Sequence, residues 1–332
     1  MFILTQQVLL GFPTLPVNMR LQILLQNVEA GRRFPPARAG SNITWDTARW
    51  EFCFYVQIYI KRLTMKKGYI YIIIAAVIFS TMEIASKMVV ADFNPFQLIF
   101  IRFIIGGLFL LPFALKGLKT KNISLGRKDA GYFLLIGALC VVISMSFFQL
   151  AIVYTKASTV AILFSVNPIF TIPLAAIYLK EQITKSTIAS LVLSVIGMIV
   201  IMNPFNLGHD FKGVILAIMA SLTFALYNVA SKAKSGYYGS MIMNSFTFLA
   251  GDLLLLILIL ISNIKGVAGF FSANNLDAFS AVSIFHGINS GNILILVYLG
   301  VVVTGLGYLT YFKAMNATNA STASLVFLIK PA

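Results

Sequence analysis

The chain has 332 residues, 59% of them hydrophobic and 11% charged, with 25 Lys and Arg against 10 Asp and Glu and a formal net charge of +15. A soluble domain is about half apolar and about a quarter charged, so this composition excludes an ordinary water-soluble globule and points to the bilayer as solvent. The basic residues are scattered through short connections instead of lining one face, which argues against nucleic-acid binding, and two cysteines, Cys53 and Cys140, give neither a disulfide framework nor metal-ligand spacing.

In chain order, the first 64 residues stand apart. They carry Arg32, Arg33, Arg38, Pro35 and Pro36 and hold no apolar run of membrane length. The opening MFILTQQVLLGF lacks a basic n-region and a small-residue cleavage site, unlike a signal peptide. At Met65 the text changes to MKKGYIYIIIAAVIFS, two lysines leading directly into a span. We expect Met65 to be the natural start, with 1–64 outside the fold; the alternative is a genuine cytoplasmic extension. Eight full spans and one partial span follow, near 69–90, 96–115, 131–153, 157–179, 186–202, 213–231, 241–262, 292–312 and 318–332. A helix rising 1.5 Å per residue needs about twenty residues to cross the hydrocarbon. The connection at 263–291, which includes His286, is long enough to form an amphipathic or mobile flap.

Two parts of the chain repeat. KGYIYIIIAAVIFSTMEIASK (67–87) and KGVILAIMASLTFALYNVASK (212–232) share Lys67/Lys212, Gly68/Gly213, Phe79/Phe224 and the closing Ala-Ser-Lys at an offset of 145. TKASTVAILFSVNP (155–168) answers TNASTASLVFLIKP (318–331) at an offset of 163, the long connection absorbing the difference. The first copy, 65–205, holds five spans, and an odd number makes the second copy, 206–332, enter the membrane from the opposite side. Charge placement agrees. Lys66, Lys67, Lys116, Lys119, Lys121, Arg127, Lys128, Lys180, Lys185 and Lys234 fall on one side, and the other side has mainly Lys156, Lys212 and Lys265. The basic side is cytoplasmic by the positive-inside rule, and the N-terminus with it. Lys121 and Lys265 should therefore face opposite compartments. The first copy runs past Pro168 through a fifth span to Met202, and the second is expected to continue likewise beyond Ala332, through the rest of the ninth span and a tenth.

Three stretches carry a family resemblance: RFIIGGLFLLPF (102–113), NPIFTIPLAAIYLKEQITKSTIASLVLSVIGMIVI (167–201) and GVVVTGLGYLTYFKAMNATNASTASLVFLIKPA (300–332). On these, the chain from Met65 onward resembles the drug/metabolite transporter superfamily, in particular its EamA-type carriers with two five-helix repeats. Pro168, Glu181 and Gly197 stand where that family's pattern has them. The resemblance implies an all-α, polytopic integral membrane protein, an inverted 5+5 helix repeat truncated in the ninth helix. It also implies a multi-pass secondary carrier in the cell membrane that exports amino acids or other small metabolites.

The residues that could carry transport are the polar ones at depth, because a charge in hydrocarbon needs a partner or water. Glu83 lies about 10 Å from one end of the first span by helical rise, and Arg102 at a similar depth in the second. An interhelical pair between them is reasonable. Lys87, four residues after Glu83, could instead neutralise it along one helix face, or Glu83 could be a proton or substrate-ammonium site with Asn228 as its uncharged repeat counterpart. Lys330 falls near mid-depth in the ninth span, and its repeat counterpart Asn167 falls at the matching depth of the fourth. Asp252 is the nearest acidic candidate to hold Lys330 charged; the other reading leaves that lysine neutral. Pro168, Pro173 and Pro331 free backbone carbonyls and mark the expected bending points. Gly106, Gly107, Gly137, Gly197, Gly300, Gly305 and Gly307 are expected to allow close helix contact. Glu181 is expected to cap the fifth span.

These features point to a carrier working by alternating access on a small-molecule substrate, with protons as a possible coupling ion. A phosphate-binding GxxxxGK[ST] loop is absent from the sequence, which argues against direct ATP drive. No cofactor or metal is called for. An intramembrane enzyme would need a cluster of His, Asp, Glu or Cys at one depth, and both histidines lie in connections. A receptor or scaffold would have no evident use for duplicated halves of opposite orientation.

Overall fold

The computed structural model describes residues 66–183, 187–189, 191–192, 195–196, 211–274 and 276–329. These belong to one of two units into which the chain divides, Tyr59–Ala332. The molecule is all-α, and seven helices are long and apolar enough to cross a membrane. They are the first to fourth spans at Lys66–Val89, Pro95–Thr120, Arg127–Tyr154 and Ala157–Leu179, and the sixth to eighth at Phe211–Tyr238, Ser240–Ser262 and Ile293–Ala317. A shorter apolar helix, Ala320–Ile329, lies in the ninth span. Most of the fifth span, expected at 186–202, falls outside the described residues, as does the segment 1–64.

Local sequence explains the span boundaries. Asn94 caps the second span: its side chain accepts from Phe96 N at 2.9 Å, Gln97 Oε1 accepts from Asn94 N at 3.3 Å, and Pro95 occupies the first helical position, where an amide donor is not needed. Asp129 does similar work for the third span, accepting from Gly126 N at 2.8 Å. The fourth span is two helices, Ala157–Phe164 and Asn167–Leu179, broken at Ser165–Val166, with Pro168 in the first turn of the second piece and Pro173 inside it. The ninth span is likewise stepped, with Ala320–Ser324 and Val326–Ile329 separated at Leu325. The third and eighth spans both carry a π-helical stretch, Ala138–Ser144 and Tyr298–Gly307. Such widened turns are concentrated at functional sites.

Side-chain contacts give the directions of the spans. Gly107 O accepts from Ser245 Oγ at 3.0 Å, and Gly117 faces Ile242, so the second and seventh spans, counterparts in the two repeats, run antiparallel. Ser144 Oγ donates to Ala220 O and Tyr132 Oη to Ala230 O, which sets the third span antiparallel to the sixth. Thr81 hydrogen-bonds Tyr298 at 2.6 Å while Gly68 meets Thr318, which sets the first antiparallel to the eighth. The third-to-sixth and eighth-to-first packings are the same relation seen from each half, as a two-fold axis in the membrane plane requires. Three pairs of repeat counterparts touch each other and so mark that axis: Phe103 and Phe248 at 4.9 Å between ring centres, Phe164 and Phe327 at 5.4 Å, and Met145 Sδ with Tyr308 Oη at 3.6 Å.

Glycine lets the backbones close. A Cβ on Gly137 would stand 2.5 Å from Gly251 N, and one on Gly251 would stand 2.6 Å from Gly137 O, so the third and seventh spans cross in backbone contact. A Cβ on Gly106, Gly107, Gly300, Gly305 or Gly307 would stand 2.5–2.9 Å from its nearest neighbour, and Gly197 lies outside the described residues. The 263–291 connection forms a helix at Lys265–Ala273 and is tied down at the start of the second span. Asn94 Nδ2 donates to Ala278 O, and Gln97 Nε2 donates to Ile284 O and His286 O. Lys121 sits at the other end of the second span, donating to Tyr237 O at 3.0 Å, so Lys121 and the Lys265 connection lie at opposite ends of the bundle.

Candidate functional site

Six spans converge at the level of Arg102. This side chain is fully buried on the second span; its Nη2 donates to Met145 Sδ at 3.1 Å, while Nε and Nη1 have no hydrogen-bond partner among the described residues. Its electrostatic neighbours are Tyr308, Cys140, Glu83 and Asp252. Asp252, buried on the seventh span, has both carboxylate oxygens without a hydrogen-bond partner among the described residues. Cys140, in the π-helical part of the third span, is buried beside Arg102, Tyr227 and Tyr308. Gln149 adds a buried amide with neither end hydrogen-bonded among the described residues. Burying polar groups unpaired costs several kcal/mol each in an apolar medium, so this concentration is costly unless something else engages it.

A second polar group lies where the fourth span breaks. Asn167 Nδ2 donates to Ser221 O at 2.7 Å, Thr171 Oγ1 donates to Asn167 Oδ1 at 2.9 Å, and Asn228 Nδ2 reaches the same Oδ1 at 3.4 Å. The two asparagines singled out in the sequence are thus in contact. Their repeat counterparts by sequence are Lys330 and Glu83. Four phenylalanines fill the space beside them: Phe164 stands 5.3 Å from Phe224 and Phe79 stands 5.9 Å from Phe327, the same contact made once in each half.

Lys330 and Pro331 lie outside the described residues. Glu83 is buried and is one of the groups acting on Arg102. Lys87 donates to Ile152 O at 2.7 Å and to Thr155 O at 3.3 Å, at the C-terminal end of the third span. The start of the fifth span, which Glu181 is expected to cap, lies outside the described residues. The Glu181 carboxylate accepts from Ala320 N at 2.8 Å, Ser321 N at 3.0 Å and Ser321 Oγ at 2.7 Å, so it caps the start of the ninth span, across the repeat boundary, where three donors converge. Sequence reasoning missed Met145, Tyr308 and Cys140 as neighbours of the charged centre. Met145 and Tyr308 stand at the offset of 163 already found, and that spacing was the available signal.

Two interlocked repeats enclosing a polar centre within apolar helices are the build of a multi-pass membrane transporter. The sequence profile of the EamA-like transporter family matches residues 66–203 and again 211–332, and the chain belongs to that family. It is 41% identical to an uncharacterized transporter of Clostridium kluyveri, over 81% of this chain and 83% of that one. PagO of Salmonella typhimurium is 26% identical over 76% of this chain and 77% of its own. A probable terminal-alkyne amino-acid exporter of Streptantibioticus cattleyicolor is 26% identical over 58% of this chain and 61% of its own. A solved crystal structure with 15% sequence identity shares the fold at a TM-score of 0.59, covering 80% of this chain and 85% of the other.

Proposed function

We propose that the protein is a secondary carrier that exports small metabolites bearing a carboxylate and an amine, amino acids foremost, by alternating access across the cell membrane with its N-terminus in the cytoplasm. The observation that carries the reading is Arg102: a fully buried guanidinium with two nitrogens unspent among the described residues, beside an aspartate with both oxygens unspent. A carboxylate on Arg102 and an ammonium on Asp252 would satisfy both at once, since charged hydrogen bonds contribute about 1.5–3 kcal/mol each. The amino-acid exporter among the relatives supports this substrate class. Asn167 and Asn228 supply neutral hydrogen-bonding capacity on the other side of the axis; Glu83 and Lys330 are kept as further site residues, and Pro168, Pro173 and Pro331 as bending points. The test is uptake and counterflow of labelled amino acids and organic acids in proteoliposomes. Arg102→Met is expected to lower flux about 10–100-fold, the loss of one or two charged hydrogen bonds, with membrane insertion retained. Unchanged flux in that variant would overturn the assignment.

A further inference from the structure

The same two contacts, a glycine on a threonine and a lysine on a helix-end carbonyl, occur twice, once at each end of the bundle. At one end the turn after the third span is held from two sides. A Cβ on Gly213, which opens the sixth span, would stand 2.7 Å from Thr155 Cβ and 2.8 Å from its Cγ2, while Lys87, which ends the first span, donates to the Ile152 and Thr155 carbonyls. At the other end the turn after the eighth span is held in the same way. A Cβ on Gly68, which opens the first span, would stand 2.7 Å from Thr318 Cγ2, and Lys232, toward the end of the sixth span, donates to Met315 O at 2.5 Å. A lysine on the last carbonyls of a helix satisfies acceptors that lack an intrahelical donor and complements the helix dipole. A glycine at van der Waals contact with a threonine lets a helix end close over the turn.

Each turn is therefore clamped by a glycine from the other repeat and a lysine from its own. Between the two clamps, Arg102, Cys140, Asn167 and Asn228 are all fully buried. We infer that the turns at Thr155 and Thr318 are the two gates of the carrier, that Gly213 with Lys87 and Gly68 with Lys232 are their clamping residues, and that both gates are shut in this structure. The gating role rests on the carrier reading above, but its residues are distinct from the substrate groups. To expose the centre on one side, a gate must part the glycine from the threonine and break the lysine contact, leaving the opposite clamp intact.

Cys140 supplies the reporter. In the full chain with Cys53→Ser it is the remaining thiol, at the centre and fully buried. Its modification by a membrane-impermeant maleimide is followed in vesicles of each orientation, without any substrate. Gly213→Val is expected to speed labelling about tenfold from the Thr155 side alone, and Gly68→Val about tenfold from the Thr318 side alone, as a shifted closed–open equilibrium requires. Lys87→Met and Lys232→Met, which remove no packing, should give the same sidedness with smaller increases. They carry the test for any valine variant that is not inserted. Equal acceleration from both sides, the same side for both gates, or no change in the inserted variants overturns the inference. Correct sidedness without any flux would leave the gates standing and remove the transport reading; flux without sidedness would do the reverse.

Discussion

The ends of the molecule are alike and its middle is not. At the ends, both repeats keep Gly68/Gly213, Lys87/Lys232 and Thr155/Thr318, and each set makes the same contacts. In the middle, counterparts diverge: RFIIGG at 102–107 is matched by TFLAGD at 247–252, so Arg102 stands against Thr247 and Gly107 against Asp252, while Glu83 stands against Asn228. Yet the apolar framework of the same stretch is kept, with Phe103 opposite Phe248 and Gly106 equivalent to Gly251. The difference follows from what each region must do. Two membrane faces need the same closure, so duplication can leave their residues alone. On the proposed reading, an asymmetric molecule bound on the axis would need different groups on its two sides, which accounts for counterparts there that differ in chemistry.

The largest expected effect comes from forcing the middle to be symmetric. Arg102→Thr, which gives the first repeat the residue of the second, should reduce flux by about 10–100-fold, since a threonine replaces a charged donor. Arg102→Lys should recover little, because an ammonium cannot reproduce the planar fork of a guanidinium. The exchange Arg102→Thr with Thr247→Arg should not restore transport either, because Asp252 has no mirrored counterpart. Recovery by the exchange, measured as flux in proteoliposomes, would mean that the two sides of the axis are interchangeable. Next in size is the framework that both repeats share. Gly137→Ala places a methyl 2.5–2.8 Å from the backbone of Gly251 and Thr247, where no side chain can step aside, and overpacking of this kind costs about 1–3 kcal/mol. Thermal unfolding in detergent should show that loss, while Gly131→Ala, which meets nothing within 4 Å inside the third span, should show none.

Much of this was legible in the sequence, and the reasons are physical. Span positions follow from hydropathy and helical rise, and the described helices overrun the expected ones mainly at polar ends, as in Pro95–Thr120 against 96–115, because Lys116 and Lys119 extend a helix as readily as leucine does. The glycines and the Asn167 and Asn228 pair were visible as residue types at depth. What could not be read was partnership. Whether Lys87 answers Glu83 four residues away or carbonyls 65 residues on depends on tertiary packing, and so does the reach of Glu181 to Ala320 and Ser321. The π-helical stretches in the third and eighth spans stand at the offset of 163, with Gly137 matching Gly300, but nothing in their residues announces the widened turn itself.

Glu181 gives the smallest and sharpest effect. The turn at Thr318 is followed by a helix with two caps: Asn319, whose side chain accepts from Thr322 N, and Glu181, which takes two backbone amides and the Ser321 hydroxyl. Lys232, beside Glu181 electrostatically, belongs to the same network. Glu181→Gln keeps the shape and exchanges a charged acceptor for a neutral one, a difference of about 1 kcal/mol, or about fivefold in an equilibrium. It should raise Cys140 labelling by that factor from the Thr318 side and leave the Thr155 side unchanged. Combined with Lys232→Met, the effect should fall short of the sum by about 0.5 kcal/mol or more, since residues of one network do not act independently. Strict additivity would separate Glu181 from the clamp and leave it as a helix cap alone.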